Sequence, residues 1–114
     1  MKVAELAARA SMQLISPSED AGIEVSRVYA ADTMSELIAH ASSGTLLVTH
    51  LDNAQIAWVA ELMDAPAICL VDGVQPGCEL LEAARCAGAA VMVSRSDLAS
   101  TIRTFKELLQ PRSP

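Results

Sequence analysis

The sequence predicts an α/β fold: a single small domain with a mostly parallel sheet of four or five strands and helices packed on both faces. From Ile23 onward, short apolar runs typical of β-strands alternate repeatedly with stretches that have helical spacing. The chain has 114 residues, the size of one domain, and 52% of them are hydrophobic, enough for one core. Ligand sites of such sheets lie beyond the carboxyl ends of the parallel strands, so the fold class also predicts where a site would be.

The beginning of the chain predicts one helix and two strands. Apolar residues with helical spacing indicate a helix over residues 3–10. Residues 12–16 and 23–30 have the length and apolar content of strands, and the polar stretch between them predicts a loop that Gly22 closes.

A capped helix follows the second strand. Thr33 and Glu36 form a capping-box pattern at its start, with an apolar stripe behind them. Gly44 stands where a left-handed helix cap is expected, so we expect the helix to end there.

Three strand–helix units complete the chain, which we expect to form one domain over residues 1–110 with a frayed tail at 111–114. Their predicted strands are residues 45–49, 67–71 and 89–93. We expect Asp52 or Asn53 to cap the first of their helices and Ser96 or Asp97 to cap the last, and the second to stop at Gly88.

Charge and composition exclude several function classes. The net charge is −6 with dispersed arginines, so no basic face for nucleic acid or for an anionic membrane is expected. No apolar run approaches the length of a membrane span, and the N terminus lacks a signal-peptide core, so we expect a cytoplasmic protein. The cysteines at 69, 78 and 86 fit neither a disulfide framework nor a zinc site, and we expect buried free thiols.

Polar residues follow the ends of three predicted parallel strands, where helix N termini would also offer free N–H groups to an anion. We therefore expect a small anionic ligand at this edge of the sheet. The candidate ligand-binding residues are Thr49, His50, Asp52, Asn53, Asp72, Gly73, Ser94 and Arg95.

His50 and Asp52 permit two interpretations. They could act as an acid–base pair, or bind a metal with Asp72 as a third ligand. Alternatively, Asp52 and Asn53 cap a helix while His50 lies in a solvated turn, which is the commoner arrangement. The sequence has no nucleophile–base signature, dinucleotide fingerprint or phosphate loop, so we predict no catalytic residue, metal or cofactor.

Trp58 and Leu62 lie one helical turn apart and outside the inner stripe of their predicted helix. They belong either to a second buried face or to a self-association patch. Arg95 has a similar ambiguity, since it could contact an anion or remain solvated at the start of the last helix.

Five segments of the sequence together resemble the DRTGG domain in its small stand-alone form. They are Met-Lys-Val-Ala-Glu-Leu at 1–6, Gly-Ile-Glu-Val-Ser-Arg-Val-Tyr-Ala-Ala-Asp at 22–32, Met-Ser-Glu-Leu at 34–37, Gly-Thr-Leu-Leu-Val-Thr-His at 44–50, and Ala-Ile-Cys-Leu-Val-Asp-Gly-Val-Gln-Pro at 67–76. The resemblance covers residues 1–109 and consists of many weak matches. The segment that gives the family its name would fall at 50–55, where the arginine and the double glycine are absent, although Thr49 and the Asp72-Gly73 turn fit the stand-alone members.

The resemblance implies a regulatory or scaffolding domain without catalysis of its own, often a homodimer, similar in fold to the amino-terminal domain of HPr serine kinase. DRTGG domains also accompany CBS domains in some pyrophosphatases, and a nucleotide is the natural ligand to expect. Stand-alone members associated with iron-only hydrogenase and kinase-like proteins imply a second possibility, an interaction or dimerisation module without a small ligand. A small enzyme using His50 and Asp52 is the third hypothesis.

Overall fold

The computed structural model describes residues 1–16 and 23–109. The predicted closing of a loop by Gly22, the domain limit at residue 110 and the frayed tail lie outside these residues. The helices are α1 Val3–Arg9, α2 Met34–His40, α3 Ala54–Leu62, α4 Cys78–Ala87 and α5 Leu98–Leu109; the strands are β1 Gln13–Ser16, β2 Arg27–Ala30, β3 Thr45–Thr49, β4 Ala67–Leu70 and β5 Ala90–Val93.

The strands form one five-stranded sheet in the order β1-β5-β4-β3-β2. β2, β3, β4 and β5 are parallel to one another, and β1 pairs antiparallel with β5. The predicted α/β fold with a mostly parallel sheet is therefore confirmed. The carboxyl ends of the four parallel strands lie at the same edge of the sheet.

Helices cover both faces of the sheet, because the buried strands alternate apolar side chains between two clusters. On one face, α2, α3 and α4 pack over residues such as Leu47 and Ile68. On the other, α1 and α5 pack over Leu46 and Met92, and Phe105 of α5 is fully buried there. The continuous apolar run of β3 is buried throughout, as expected for a central strand of a parallel sheet.

The predicted strand over residues 23–30 is too long, because only Arg27–Ala30 joins the sheet. The preceding residues pair with the N terminus instead. The amide of Val3 donates to the carbonyl of Ile23 at 2.8 Å, and the amide of Val25 donates to the carbonyl of Met1 at 2.8 Å. The apolar alternation of this segment reflects burial of Val25 in the core.

Gly44 does not cap α2. The last residue of α2 is His40, and the capping position is taken by Ala41, whose backbone is extended. Gly44 has a φ of +83° in the turn that leads into β3, and its carbonyl accepts hydrogen bonds from the amides of Ser26 and Arg27. Glycine is required here for the left-handed conformation that the sequence predicts, but the turn belongs to the strand connection.

The remaining helix signals are largely confirmed. Thr33 accepts a hydrogen bond from the amide of Glu36, and Gly88 caps α4 with a φ of +74°. Asn53 caps α3 by accepting from the Gln55 amide, and Asp97 accepts from the Ser100 amide at 2.7 Å at the start of α5.

The expectation of buried thiols holds for one cysteine only. Cys69 is buried in β4, and this burial raises the pKa of its thiol to about 12. Cys78 and Cys86 are exposed because they lie on α4 away from its buried residues, Leu80 and Ala84.

Within the described ranges, no helix is both long enough and apolar enough to cross a membrane.

Candidate functional site

The carboxyl edge of the sheet brings together side chains from four strand ends. Each parallel strand is followed within two residues by a polar side chain, and the loops lie side by side in the order β5, β4, β3, β2. These side chains are Asp32 after β2, His50 after β3, Asp72 after β4 and Ser94 and Arg95 after β5. Most of them are candidates predicted from the sequence.

His50 is held between two carboxylates. Its Nδ1 atom lies 3.1 Å from Oδ1 and 3.0 Å from Oδ2 of Asp32, and its backbone amide donates to Asp32 Oδ1 at 2.8 Å. On the other side of the ring, Nε2 contacts Oδ2 of Asp72. We call these three residues the histidine clamp. It links the loops after three adjacent strands through one imidazole.

The contacts of the clamp shift the pKa values of His50 and Asp32. The hydrogen bond to Asp72, followed by that to Asp32, raises the pKa of His50, because both carboxylates favour the protonated ring; partial desolvation opposes them. Desolvation also pushes the pKa of Asp32 upward, but hydrogen bonds from the His50 amide and ring and from Thr49 outweigh it and lower that pKa. The arrangement therefore favours an imidazolium between two carboxylates.

Thr49 positions Asp32. Its hydroxyl group is buried, donates to Oδ1 of Asp32 at 3.2 Å and accepts from the amide of Leu51 at 3.1 Å. One threonine thus orients the carboxylate on the neighbouring strand and the turn that carries His50.

Asp72 and Gly73 form a left-handed turn, with φ of 57° and 70°. Aspartate and glycine are among the few residues that adopt this conformation readily. The amide of Asp72 donates to the carbonyl of Ser96, and the amide of Gly73 donates to that of Ser94, each at 2.8 Å. The turn therefore connects the histidine clamp to the loop between β5 and α5.

Asp52 and Asn53 have structural partners other than His50. Asp52 accepts a hydrogen bond from the amide of Gly77 at 3.1 Å, and Asn53 caps α3. The structure thus pairs His50 with Asp32 and Asp72 rather than with Asp52, and the carboxylate of Asp52 connects the loop after β3 to the start of α4.

A groove of about 660 Å³ opens beside the clamp, at the end of the edge where β1 and β5 meet. Its polar wall contains Gly73, Gln75, Arg95 and Ser96, and the Arg95 side chain is exposed. Ser94 also lines the groove, but its buried hydroxyl shares a hydrogen bond of 2.8 Å with Thr101 and accepts from the Ser96 amide. Arg95 is therefore the candidate best placed to meet an anion.

Asp32 was missed by the sequence analysis. It follows β2 as closely as Asp72 follows β4, and its segment ends one of the stretches that resemble the DRTGG domain. The predicted site residues all follow the other parallel strands. Asp32 could have been predicted as well, because ligand sites lie just beyond the carboxyl ends of parallel strands and β2 is one of them.

The histidine clamp does not have the arrangement of a metal centre. In the part of the chain that the structure describes, no group of three or more His, Cys, Asp or Glu side chains is disposed to hold a metal ion. Both ring nitrogens of His50 are already engaged with carboxylates.

Comparison with known proteins supports the fold. No family model matches the sequence, and no curated protein matches it. The chain is similar to the crystal structure of the CBS and DRTGG domains of the regulatory region of Clostridium perfringens pyrophosphatase, complexed with its activator diadenosine tetraphosphate. The fold is DRTGG-like. The alignment covers 91% of this chain with a TM-score of 0.68 and 16% identity, and the DRTGG-like chain spans 45% of the matched one.

Proposed function

We propose that this protein is a non-catalytic regulatory or scaffolding domain, a homodimer, that binds a small anionic ligand such as a nucleotide at the carboxyl edge of its sheet. The observation that carries the proposal is the fold, which is similar to that of a pyrophosphatase regulatory region crystallised with a dinucleotide activator. The resemblance of the sequence to DRTGG domains supports the same assignment.

The groove beside the histidine clamp supports a ligand of this size. Its volume of about 660 Å³ lies within the range of small-molecule sites, roughly 300–1,000 Å³. The guanidinium of Arg95 can bind a phosphate through two parallel hydrogen bonds, and Gln75 and Ser96 line the same wall. Because the chain carries a net charge of −6, an anion would depend on this local cation.

The contacts of the His50 ring support the proposal that this domain is non-catalytic. A general base needs a ring nitrogen free to take a proton from a substrate or a nucleophile. Both nitrogens of His50 contact carboxylates, and Asp52 is hydrogen-bonded to Gly77 instead. The hypothesis of an enzyme that uses His50 with Asp52 is therefore disfavoured, because these two side chains are not paired with each other.

Thermal unfolding against adenine and guanine nucleotides, dinucleotides and inorganic phosphate tests the proposal. A ligand at ~100 times its dissociation constant adds about 2.7 kcal/mol, which raises Tm by several degrees or more in a domain of this size. Arg95→Ala should abolish the shift, and Arg85→Ala, which removes the same charge from α4, should retain it. A flat panel with the wild-type protein would overturn the ligand-binding function.

The second candidate is a protein–protein interaction or dimerisation module without a small ligand. Three large apolar side chains favour it, because Ile38, Trp58 and Leu62 are exposed on neighbouring helices. Such a module would serve a partner of the hydrogenase or kinase-like kind that the family resemblance implies. Because the first candidate is also a homodimer, the ligand panel separates the two: a wild-type protein that sediments as a dimer but gives a flat panel would favour this second candidate.

A further inference from the structure

The outer faces of α2 and α3 form an exposed apolar patch. Ile38, Trp58 and Leu62 are 43%, 60% and 73% exposed, although each is a large hydrophobic residue. Together with half-buried Met34, they line a shallow concavity of about 280 Å³ between the two helices. Grouped apolar side chains in a concavity between helices are characteristic of surfaces that bind a partner.

The patch lies in the most acidic part of the chain. Residues 28–84, which include α2 and α3, contain no Lys or Arg. They contain eight carboxylates: Asp32, Glu36, Asp52, Glu61, Asp64, Asp72, Glu79 and Glu82. Glu61 itself borders the surface formed by Trp58 and Leu62. On the two helices that form the patch, Glu36 and Glu61 are the acidic side chains and no Lys or Arg occurs, so a partner seated here meets negative charge.

The charge distribution distinguishes between two possible partners of the patch, a second copy of this chain and a segment of another protein. Two copies joined symmetrically through the patch would bring the same carboxylates against each other, which costs free energy at an interface. A segment with apolar anchors flanked by Lys or Arg would bury the patch and also pair with the acidic surroundings. The surface thus favours a basic partner over a second copy of this chain.

We propose that the α2–α3 patch is a docking site for a basic amphipathic helix of another protein, which places apolar anchors against Ile38, Trp58 and Leu62. This interaction does not depend on the proposed ligand in the groove, because the patch lies on the helices of one face and the groove lies at the sheet edge.

Trp58 provides a direct probe, since it is the one tryptophan of the chain. The test is a fluorescence titration with a synthetic helical peptide that has Leu at i, i+3, i+4 and i+7 and Lys elsewhere. We expect a saturable blue shift of Trp58 emission that weakens with added salt. Leu62→Ser should reduce the affinity at least tenfold without loss of fold, because this side chain is mostly solvated, whereas Cys86→Ser, at an exposed position on α4, should leave it unchanged.

Two control peptides and one concentration series decide the outcome. A scrambled peptide of identical composition but without an apolar stripe, and a peptide with Glu in place of Lys, should both bind at least tenfold more weakly. Equal binding of either control would overturn the proposal, as would no binding of the Lys peptide. A blue shift that grows with protein concentration alone, and that Leu62→Ser removes, would assign the patch to a second copy and also overturn it.

Discussion

The Nδ1 atom of His50 lies 3.0 Å from Oδ2 of Asp32, which joins the end of β3 to the end of the neighbouring strand β2. Nε2 of the same ring contacts Asp72 at the end of β4. One imidazole thus connects three strand ends on one edge of the sheet. We expect its charge to influence how firmly these strand ends are held, and the edge to respond to pH.

We expect the histidine clamp to stabilise the fold most in mildly acidic solution. The pKa of His50 is raised on folding, so its contribution is fully present below the ordinary value of 6.5 and is lost as pH rises through the folded pKa. The pKa of Asp32 is lowered, so its contribution is present above 3.8 and is lost as pH falls through the folded pKa. Urea unfolding should therefore show a larger deficit for His50→Gln at about pH 5.5 than at about pH 8.5.

His40→Gln is the control for this experiment, because His40 packs on Tyr29 outside the clamp. The deficit of His50→Gln is compared with that of His40→Gln at each pH. An NMR titration of the His50 ring protons with a midpoint at or below the ordinary value would contradict the clamp.

Substitutions at Asp72 should separate charge from backbone conformation. Asp72→Asn keeps a side chain that tolerates the φ of 57° but removes a negative charge, so it should lower the pKa of His50 and leave the turn intact. Asp72→Ala removes the carboxylate and also strains the backbone, at a further cost of about 1–2 kcal/mol. The two variants are compared by NMR titration of the His50 ring and by denaturant unfolding. Equal unfolding free energies for the two variants would contradict the backbone strain expected in Asp72→Ala.

Gly44→Ala should destabilise the protein by about 1–3 kcal/mol. Its φ is +83°, and an added Cβ would lie 2.4 Å from Oγ of Ser26. Gly77→Ala is the matched control, since a Cβ there meets no atom within 4 Å and the φ is −78°. Chemical denaturation should show a small change for the control, and equal losses for both variants would contradict this account of the turn before β3.

A pair of isoleucines on adjacent helices should respond very differently to truncation. Ile56→Ala on α3 removes a fully buried side chain from the core and should cost about 2–5 kcal/mol. Ile38→Ala on α2 removes a side chain that is 43% exposed and should cost under ~1 kcal/mol. Urea midpoints measure both changes. Comparable losses would mean that the α2–α3 patch is buried in solution, for example by another molecule.

The alternation of strands and helices could be predicted from sequence because it follows from local periodicity. The buried run of β3 and the caps at Thr33 and Gly88 are recognisable without any tertiary information. The error at residues 23–26 has a tertiary cause, since this segment alternates like a strand but Ile23 and Val25 pair with the N terminus, and the amide of Ser26 donates to Gly44.

The site was harder to predict because it depends on strand order. That His50 contacts Asp72 requires β3 and β4 to be neighbours, and that it contacts Asp32 requires β2 on the other side. Sequence proximity instead suggested Asp52, which is only two residues from His50 but is bonded to Gly77. Position along the chain is therefore a weaker guide than position at the edge.

The strand order β1-β5-β4-β3-β2 also determines where the sheet is open. In the part of the chain that the structure describes, each outer strand has four residues, and the pairing of β1 with β5 shifts register between Leu14 and Ser16. Short or irregular borders offer an incoming extended segment few amides and carbonyls in line, so they resist strand addition and fibrous aggregation. The two edges of the sheet are thus poor places for another chain to add a strand, so we expect an assembly of this domain to use a helix surface.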